Sequence, residues 1–389
     1  TVEKFINDIL MTVFFFTVGL EIRREMKNGE LSSLKKAMMP VIAAFGGVVA
    51  PALIFTAINH GSAAASGWGI PTATDIAFAV GILSILGDRV PVSLKVFLTA
   101  LAIADDLIAI LVVALFYGGT INFGLLSIAF VLIALVLLMN KLGEKRGWFY
   151  LVPAIAIWSL FYYAGIHSTM SGVVMAFLVP MTPRFNEAYF HRKRLQYIRR
   201  LNEYNGIAST SSEFPNGPQR HCLRRLSAIS RDSIGMSYRL EHALGPWVNF
   251  LIMPIFALAN AGVEIPDVSY FNVFQFDQVL GSVSMGIFLG LVLGKPLGIS
   301  LASFIAVKLH VGEMPAKSTW PMLIAVACLG GIGFTMSIFV DTLSFGDQTP
   351  EVMARLRDMG KVAVLMGSLC AGILGSVLIN IIHGIESRK

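Results

Sequence analysis

Residues 97–111 read FLTALAIADDLIAIL, which places two adjacent carboxylates, Asp105 and Asp106, in the middle of an apolar run. The run extends roughly from Val92 to Tyr117. At a rise of about 1.5 Å per residue, it can cross a hydrocarbon core of about 30 Å as a helix. A charged residue at the centre of such a helix costs on the order of 2.5–3.5 kcal/mol. The pair therefore predicts a working site inside a membrane-spanning helix.

The composition of the whole chain agrees with a membrane protein. Of its 389 residues, 55% are hydrophobic and only 14% are charged, whereas soluble domains carry about 25% charged residues. The apolar residues form long blocks, not the alternating segments of a β-barrel. We therefore predict an all-α polytopic membrane protein, residues 1–389 forming one transporter domain. Its eleven predicted spans are roughly Phe5–Leu20, Met38–Ile58, Ile70–Leu86, Val92–Tyr117, Phe123–Asn140, Trp148–Gly165, Ser168–Met181, Glu241–Gly262, Gly281–Val307, Pro321–Leu343 and Val362–Ile382.

Lysine and arginine in the connecting segments predict the orientation of the bundle. Of the 30 basic residues, 25 fall in alternate connections on one side, which should therefore be the cytoplasmic side. The net charge of +6 thus reflects membrane topology and does not indicate a nucleic-acid partner. The cluster from Arg355 to Lys361 falls on the opposite side, and we interpret it as an amphipathic lead-in to the last span.

Residues 183–240 form the one long polar stretch of the sequence. Their first part, from Glu187 to Tyr204, is basic and has apolar residues at helical spacing. The middle, from Ser209 to Arg220, is polar with two prolines and two glycines, which is typical of flexible chain. We interpret the stretch as a basic cytoplasmic loop insertion, and a lipid-surface helix or a regulatory module stays open as an alternative.

Asp75 and Lys295 are charges that also lie within predicted spans. The chain around Asp75 reads GIPTATDIAF over residues 69–78, where Pro71 removes a backbone donor and the glycine and threonines weaken the helix. A second interruption is predicted at residues 328–337, CLGGIGFTMS. Two broken helices in matching halves of a transporter indicate a substrate site where the helix ends meet.

The two isolated charges can balance the helix ends at such a crossing. Opposed N-termini would present partial positive charge, which Asp75 could balance, and opposed C-termini would present partial negative charge, which Lys295 could balance. Plainer interpretations stay open from the residues alone. Asp75 could be the N-cap of an interfacial helix, Lys295 could snorkel to water, and Asp105 with Asp106 could be neutralised by salt bridges for packing alone.

Six stretches of the chain, taken together, resemble the NhaA-type sodium/proton antiporters. They occur in the family's order from the first span to the eleventh, and such ordered matches are more specific than any single short motif. The stretches are VGLEIRRE from Val18, TATDIAFA from Thr72, ALAIADDL from Ala100, FALANAGV from Phe256, GKPLGIS from Gly294 and GIGFTMSIF from Gly331.

The resemblance implies a fold and a set of site residues. The family has twelve helices, with inverted-topology repeats and two discontinuous helices, so the chain looks like an N-terminally truncated copy without the first helix. Asp106 would be the principal Na⁺-binding carboxylate, and Asp105 would assist it and pair with Lys295. Asp75 and Thr74 would lie where the broken helices cross. The family's cytoplasmic pH-sensing cluster matches Glu21, Arg24, Glu25, Glu241 and His242.

The implied activity is electrogenic exchange of cytoplasmic Na⁺ or Li⁺ for external H⁺, regulated by pH, at the bacterial inner membrane. Carboxylate oxygens suit a hard cation, and two coupled carboxylates let protons compete with it. No cofactor, nucleic-acid partner or enzymatic activity is expected. A homodimer stays open, because the family's long hairpin between its first two helices, which supports dimers, has no counterpart in this chain.

Other functions explain the buried charges less well. The main alternative is an H⁺- or Na⁺-coupled transporter of another small solute, but an organic anion would need more cations inside the spans than Lys295. An intramembrane aspartyl protease would use Asp75 and one of the pair as carboxylates sharing a proton. That function leaves Lys295 and the second interrupted helix unexplained. A passive channel would need a repeated filter motif, which the sequence lacks.

Overall fold

Helices make up most of the chain in the computed structural model. The structure describes residues 2–118, 121–207, 215–262, 273–274, 281–346 and 348–387, without the side chains of residues 34, 35 and 205–207. Arg388 and Lys389, which are two of the 25 basic residues counted on the predicted cytoplasmic side, lie outside the described residues.

The helices are numbered along the chain, and a 3₁₀ helix, Ala63–Thr72, stands between α2 and α3. Some of the long helices contain a short π-helical turn, as at Gly290–Gly294. The helices are α1 Val2–Asn28, α2 Leu34–Asn59, α3 Ile76–Leu86, α4 Val92–Phe116, α5 Phe123–Lys141, α6 Trp148–Ala164, α7 Met170–Leu178, α8 Glu187–Ile207, α9 Gly217–Asp232, α10 Met236–Asn260, α11 Val283–Lys308, α12 Trp320–Leu329, α13 Phe334–Leu343 and α14 Pro350–Glu386.

The predicted all-α membrane bundle is confirmed. Within the described part of the chain, seven helices are long and apolar enough to cross a membrane, or up to nine if each bent pair is one span. Two of the eleven predicted spans form shorter helices, α6 with 17 residues and α7 with 9. The last helix, α14, is 37 residues long and includes the basic cluster from Arg355 to Lys361 within one continuous helix.

The polar stretch 183–240 forms a helical hairpin in its described part. Helices α8 and α9 pack against each other, and the base of the hairpin is tied by Arg184, whose backbone N–H donates to the carbonyl of Asp232 at 2.9 Å. Of the middle segment predicted to be flexible, residues 209–214 lie outside the described residues. Residues 217–220 instead form the first turn of α9, because Asn216 and Gln219 make a capping box there.

Both predicted helix interruptions are present. The 3₁₀ helix and the helical segment Ile76–Arg89 meet at an angle of 41°, and α12 meets α13 at 50°. Residues 73–75 form the first break, just after Pro71, which cannot donate a backbone hydrogen bond. Residues 330–333 form the second break, and three of these four residues are glycines, which weaken a helix.

The two breaks lie against each other in the middle of the bundle. The backbone N–H of Asp75 donates to the carbonyl of Ile332 at 2.7 Å, and the hydroxyl of Thr74 donates to the carbonyl of Gly330 at 2.8 Å. Each break therefore satisfies backbone groups that the other leaves free, as membrane proteins require of irregular backbone. This crossing is the arrangement that the resemblance implied for inverted-topology repeats.

Helices α2 and α11 approach each other at two glycines and thereby fix the position of Lys295. A Cβ atom placed on Gly298 would lie 2.1 Å from the carbonyl oxygen of Gly46, and one placed on Gly46 would lie 2.4 Å from the Cβ of Ala302. Small residues at such crossings let helix backbones pack closely in membranes. Lys295 lies one turn before Gly298, so this contact holds the lysine at a fixed depth.

We expect Gly298→Ala to lower the free energy of unfolding by about 1–3 kcal/mol, because overpacking a close contact forces backbone shifts. Gly81→Ala is the matched control, since a Cβ atom on Gly81 in α3 meets nothing within 4 Å. Thermal melting of the purified variants in detergent measures the difference. Equal melting temperatures for the two variants would contradict the close contact.

Candidate ion-binding site

The carboxylate pair of α4 is fully enclosed by the bundle. Asp105 is 0% exposed and Asp106 is 2% exposed. The Oδ2 atom of Asp105 lies 2.7 Å from the Nζ atom of Lys295, whereas Asp106 makes no ion pair with any described residue. One oxygen of each carboxylate, Oδ1, has no hydrogen-bond partner among the described residues. The two neighbours are therefore electrostatically unequal, because one carboxylate is paired with a lysine and the other makes no ion pair with a described residue.

Lys295 links the carboxylate pair to the helix breaks. Its ammonium group also donates to the hydroxyl of Thr74 at 2.9 Å, and that hydroxyl donates to the carbonyl of Gly330, the residue that ends α12. Lys295 is 0% exposed, so it does not snorkel to water. The π-helical turn Gly290–Gly294 directly precedes it, and such turns occur frequently at functional sites. A cation thus lies near the end of α12, as expected from the helix dipole.

Asp75 joins the beginnings of the two inner half-helices. It is the N-cap of α3 and accepts a hydrogen bond from the backbone N–H of Phe78 at 3.2 Å. Its other oxygen accepts from the backbone N–H of Thr335, near the start of α13, at 3.1 Å, and also from the hydroxyl of Thr335. Asp75 is therefore an N-cap, but a buried one that serves two helices, and its charge balances both N-terminal dipoles.

Four of the five residues matched to pH sensing form one ion-pair cluster where α1 and α10 meet. The guanidinium of Arg24 pairs with Glu241, with Glu25 at 3.1 Å and with Glu21 at 3.9 Å. The Oε2 atom of Glu241 is buried without a hydrogen-bond partner among the described residues. His242 is not part of this network, because its exposed ring packs edge-on against the ring of Tyr238, with 4.0 Å between the ring centroids.

Comparison with known proteins identifies the family of the chain. A family model described as Na⁺/H⁺ antiporter 1 matches residues 1–379. The chain belongs to this antiporter family. Three relatives are described as the Na(+)/H(+) antiporter NhaA. The protein from Syntrophobacter fumaroxidans is 42% identical over 96% of this chain and 77% of the relative, and the one from Oleidesulfovibrio alaskensis is 42% identical over 99% of this chain and 82% of the relative. The protein from Bacteroides thetaiotaomicron is 41% identical over 99% of this chain and 84% of the relative. The resemblance found in the sequence is thereby confirmed, and the chain is a multi-pass membrane protein of a transporter family.

The structure brings three further polar residues to attention that sequence reasoning missed. Thr335 and Ser368 complete the crossing, since the Ser368 hydroxyl accepts hydrogen bonds from the backbone N–H groups of Gly333 at 3.2 Å and Phe334 at 3.0 Å. A threonine two residues after the last glycine of a break is a usable signal, whereas a serine within the apolar α14 gives none. Asp341, in α13, is a further buried charge and lies near the end of a predicted span.

Proposed function

We propose that the chain exchanges cytoplasmic Na⁺ or Li⁺ for external H⁺ and that Asp106 is the principal ion ligand. The observation that carries this proposal is the unequal pair, in which Lys295 forms an ion pair with Asp105 while Asp106 forms none with a described residue. An ionised carboxylate buried without a counter-charge is costly, so Asp106 gains from binding either a proton or a small cation. Competition between those two ions at one carboxylate is the basis of an antiporter.

The surrounding oxygen atoms favour an alkali cation as the transported ion. Na⁺ is a hard cation, and carboxylate, hydroxyl and carbonyl oxygens are the ligands that hard cations prefer. The unpartnered Oδ1 atoms of Asp105 and Asp106 offer two such ligands. A larger anionic solute would need fixed positive charge, but the buried ammonium of Lys295 is already committed to Asp105 and Thr74.

Proton exchange at the pair follows from its coupling to Lys295. When Na⁺ enters between the carboxylates, it competes with Lys295 for Asp105, and the displaced lysine can release a proton as its pairing is lost. When Na⁺ leaves, the lysine and Asp106 take up protons again. The exchange is electrogenic on this proposal, because more than one titratable group responds to one monovalent cation.

On this proposal, the crossing of the two broken helices is where the occupied site changes its access from one membrane face to the other. The halves of each broken helix are joined by only a few residues, 73–75 and 330–333, which carry hydrogen bonds between the two helices. Rocking of one bundle against the other around such a crossing gives alternating access. The expected location is the bacterial inner membrane, and dimerisation stays open.

Transport in inverted membrane vesicles tests the proposal. The full chain is produced in a bacterial host that lacks Na⁺/H⁺ antiporters, a proton gradient is established, and a pH-sensitive dye reports the gradient while NaCl or LiCl is added. We expect Na⁺ and Li⁺ to dissipate the gradient from neutral to alkaline pH, and KCl to leave it intact. No dissipation by Na⁺ or Li⁺ at any pH would refute antiport, and dissipation only by another solute would favour the coupled-transporter alternative.

The ion-pair cluster on α1 and α10 should set the pH dependence of transport. We expect Arg24→Gln to move activation toward more alkaline pH, because removing a neighbouring cation makes the ionised form of a carboxylate less favourable. The maximal rate should stay within about twofold, since the cluster does not touch the Asp105–Asp106 pair. The vesicle assay measured over a pH series checks the shift.

Arg146→Gln is the control for this variant, because Arg146 is 64% exposed and lies 4.0 Å from Glu144 in a similar ion pair. Exposed pairs contribute little, so its pH profile should match that of the unchanged chain. An unaltered pH profile of transport in Arg24→Gln would show that the cluster does not set the pH dependence.

A further inference from the structure

Asp341 is a buried carboxylate that the exchange at Asp105 and Asp106 does not use. It lies in α13 and is 0% exposed. Both of its carboxylate oxygens lack a hydrogen-bond partner among the described residues. Burying an ionised group without partners is costly, so such residues inside membrane proteins are functional by default. Packing alone therefore does not explain a carboxylate at this position.

Basic groups lie near Asp341 without pairing with it. The nearest charges are on α14, where Arg357 and Lys361 attract the carboxylate and Asp358 repels it. No basic nitrogen of the described residues lies within 4.0 Å of the carboxylate. Arg357 is held instead by the carbonyl oxygens of Thr342 and Ser344. The guanidinium thus lowers the cost of an ionised Asp341 without locking it into a salt bridge.

The other elements packed around α13 bring little charge to Asp341. The 3₁₀ helix has no ionisable residue, and neither has the part of α10 that contacts α13, Met253–Asn260. From the end of α4, Tyr117 interacts electrostatically with Asp341, while its hydroxyl donates to the carbonyl of Ser66 at 2.8 Å. From α1, Glu3 interacts with Arg357. The carboxylate therefore has two cations near it, one neutral phenol, and no fixed counter-ion.

An unpartnered hydroxyl lies between Asp341 and the crossing of the two helix breaks. Ser337 lies four residues earlier on the same face of α13, is 0% exposed, and its Oγ atom has no hydrogen-bond partner among the described residues. Thr335, which binds Asp75, is six residues before Asp341, or about 9 Å along the helix axis. Ser337 and Asp341 thus place unpartnered oxygen atoms one turn apart on one face of α13, between the crossing and the end of the helix at Leu343.

We propose that Asp341 is a proton-exchange site on the route between the central pair and the external face, where α13 ends. This inference rests on the proposed function, because it assigns the path of the H⁺ that the antiporter exchanges. In each transfer the O–H bond of Asp341 breaks as a new O–H bond forms on the next oxygen toward the centre, the Ser337 hydroxyl or a water beside it. The O–H bond that this oxygen already carried breaks in turn, and its proton passes on toward the central pair. The carboxylate then takes another proton from external water.

A proton fits Asp341 better than a second Na⁺ ion does. Sodium requires several oxygen ligands, whereas no described residue donates a hydrogen bond to Asp341 and its Oδ1 atom lies against the backbone of Gly360. A proton needs only one oxygen atom and no further space.

The test compares Asp341→Asn with the unchanged chain, both purified and reconstituted in liposomes. We expect Asp341→Asn to slow Na⁺-driven proton exchange at least about tenfold, because a positioned proton-transfer group typically contributes about 10²–10⁴-fold. Na⁺ affinity, measured by direct titration, should change less than about twofold, since Asp341 does not touch the central pair. A native exchange rate, or an equal loss of Na⁺ affinity, would overturn the proposal.

Infrared difference spectroscopy separates proton exchange from a structural role. The unchanged chain should show a protonated carboxyl band that responds to external pH and is absent from Asp341→Asn, and Asp341→Glu should restore both the band and part of the rate. Persistence of every such band in Asp341→Asn would refute the site. Asp88→Asn, at an exposed position, is the control that should change neither measurement.

Failure of the Asp341 site can be distinguished experimentally from failure of antiport. If the unchanged chain does not exchange Na⁺ for H⁺, the antiport proposal fails, while the infrared titration still decides whether Asp341 exchanges protons with water. Gly360→Ala covers the case of a misfolded Asp341→Asn, because a Cβ atom there would lie 2.2 Å from Oδ1 of Asp341 and must displace the carboxylate. We expect it to alter the Asp341 band and slow exchange, and a native rate and band would count against the site.

Discussion

Asp106→Asn is expected to abolish Na⁺-driven proton exchange while leaving the fold intact. Asparagine has the shape of aspartate but neither its charge nor its exchangeable proton. At a distance of 4 Å and an effective dielectric constant of 20, one unit charge contributes about 4 kcal/mol to holding a monovalent cation. Every 1.4 kcal/mol is about tenfold, so Na⁺ affinity should fall on the order of a thousandfold.

The measurement combines Na⁺ titration of the purified chain with the vesicle assay. Asp105→Asn is the matched comparison, because it removes the neighbouring carboxylate, which Lys295 already neutralises. That variant should retain measurable Na⁺ binding at Asp106. If Asp106→Asn transports and Asp105→Asn does not, the roles of the two carboxylates are the reverse of those proposed.

The sequence predicted which residues belong to the site better than it predicted which of them contact one another. Asp105, Asp106, Asp75 and Lys295 stand out because a charge inside an apolar helix is rare and costly. The helix breaks stand out because proline and glycine interrupt helices for local reasons. Both signals depend only on residue type and near neighbours, and both were confirmed as structural features of the bundle.

Partners across the bundle could not be derived from residue spacing. Lys295 is 190 residues from Asp105 and 221 residues from Thr74 along the chain, and only the family resemblance indicated that Lys295 pairs with Asp105. The capping of α13 by Asp75 depends on which helix ends face each other, which is set by tertiary packing. Residues 217–220 show the opposite case, since a local capping box there forms a helix where composition suggested flexible chain.

The sequence did not reveal Asp341 because the end of a predicted span does not determine how deeply a residue is buried. It lies two residues before the end of a predicted span, where a charged residue ordinarily reaches the interface. In the structure, Gly360 and the 3₁₀ helix cover that end of α13, so that the carboxylate is buried. A charge near the end of a predicted span is therefore informative only once its neighbours are known.

Lys295→Met is expected to destabilise the protein strongly, by about 3–5 kcal/mol, because removing one partner of a buried pair leaves the other charge uncompensated. Methionine keeps the length and apolar stem of lysine, so the loss reports charge and hydrogen bonding and not a cavity. Asp105 would lose its contact at 2.7 Å, and the Thr74 hydroxyl would lose a donor at 2.9 Å. Thermal melting in detergent and chemical denaturation measure this loss.

The double variant Lys295→Met with Asp105→Asn separates the contribution of the lysine to stability from its contribution to transport. Replacing both members of a buried pair by uncharged residues is often neutral for stability, so the double variant should regain most of what the single variant loses. It should still bind Na⁺ at Asp106 but release one proton fewer per bound Na⁺ than the unchanged chain, because the lysine that gives up a proton is gone. Calorimetry in buffers of different ionisation enthalpy counts those protons. If the double variant releases as many protons as the unchanged chain, Lys295 serves packing only, and the exchanged protons belong entirely to Asp106 and the carboxylates around it.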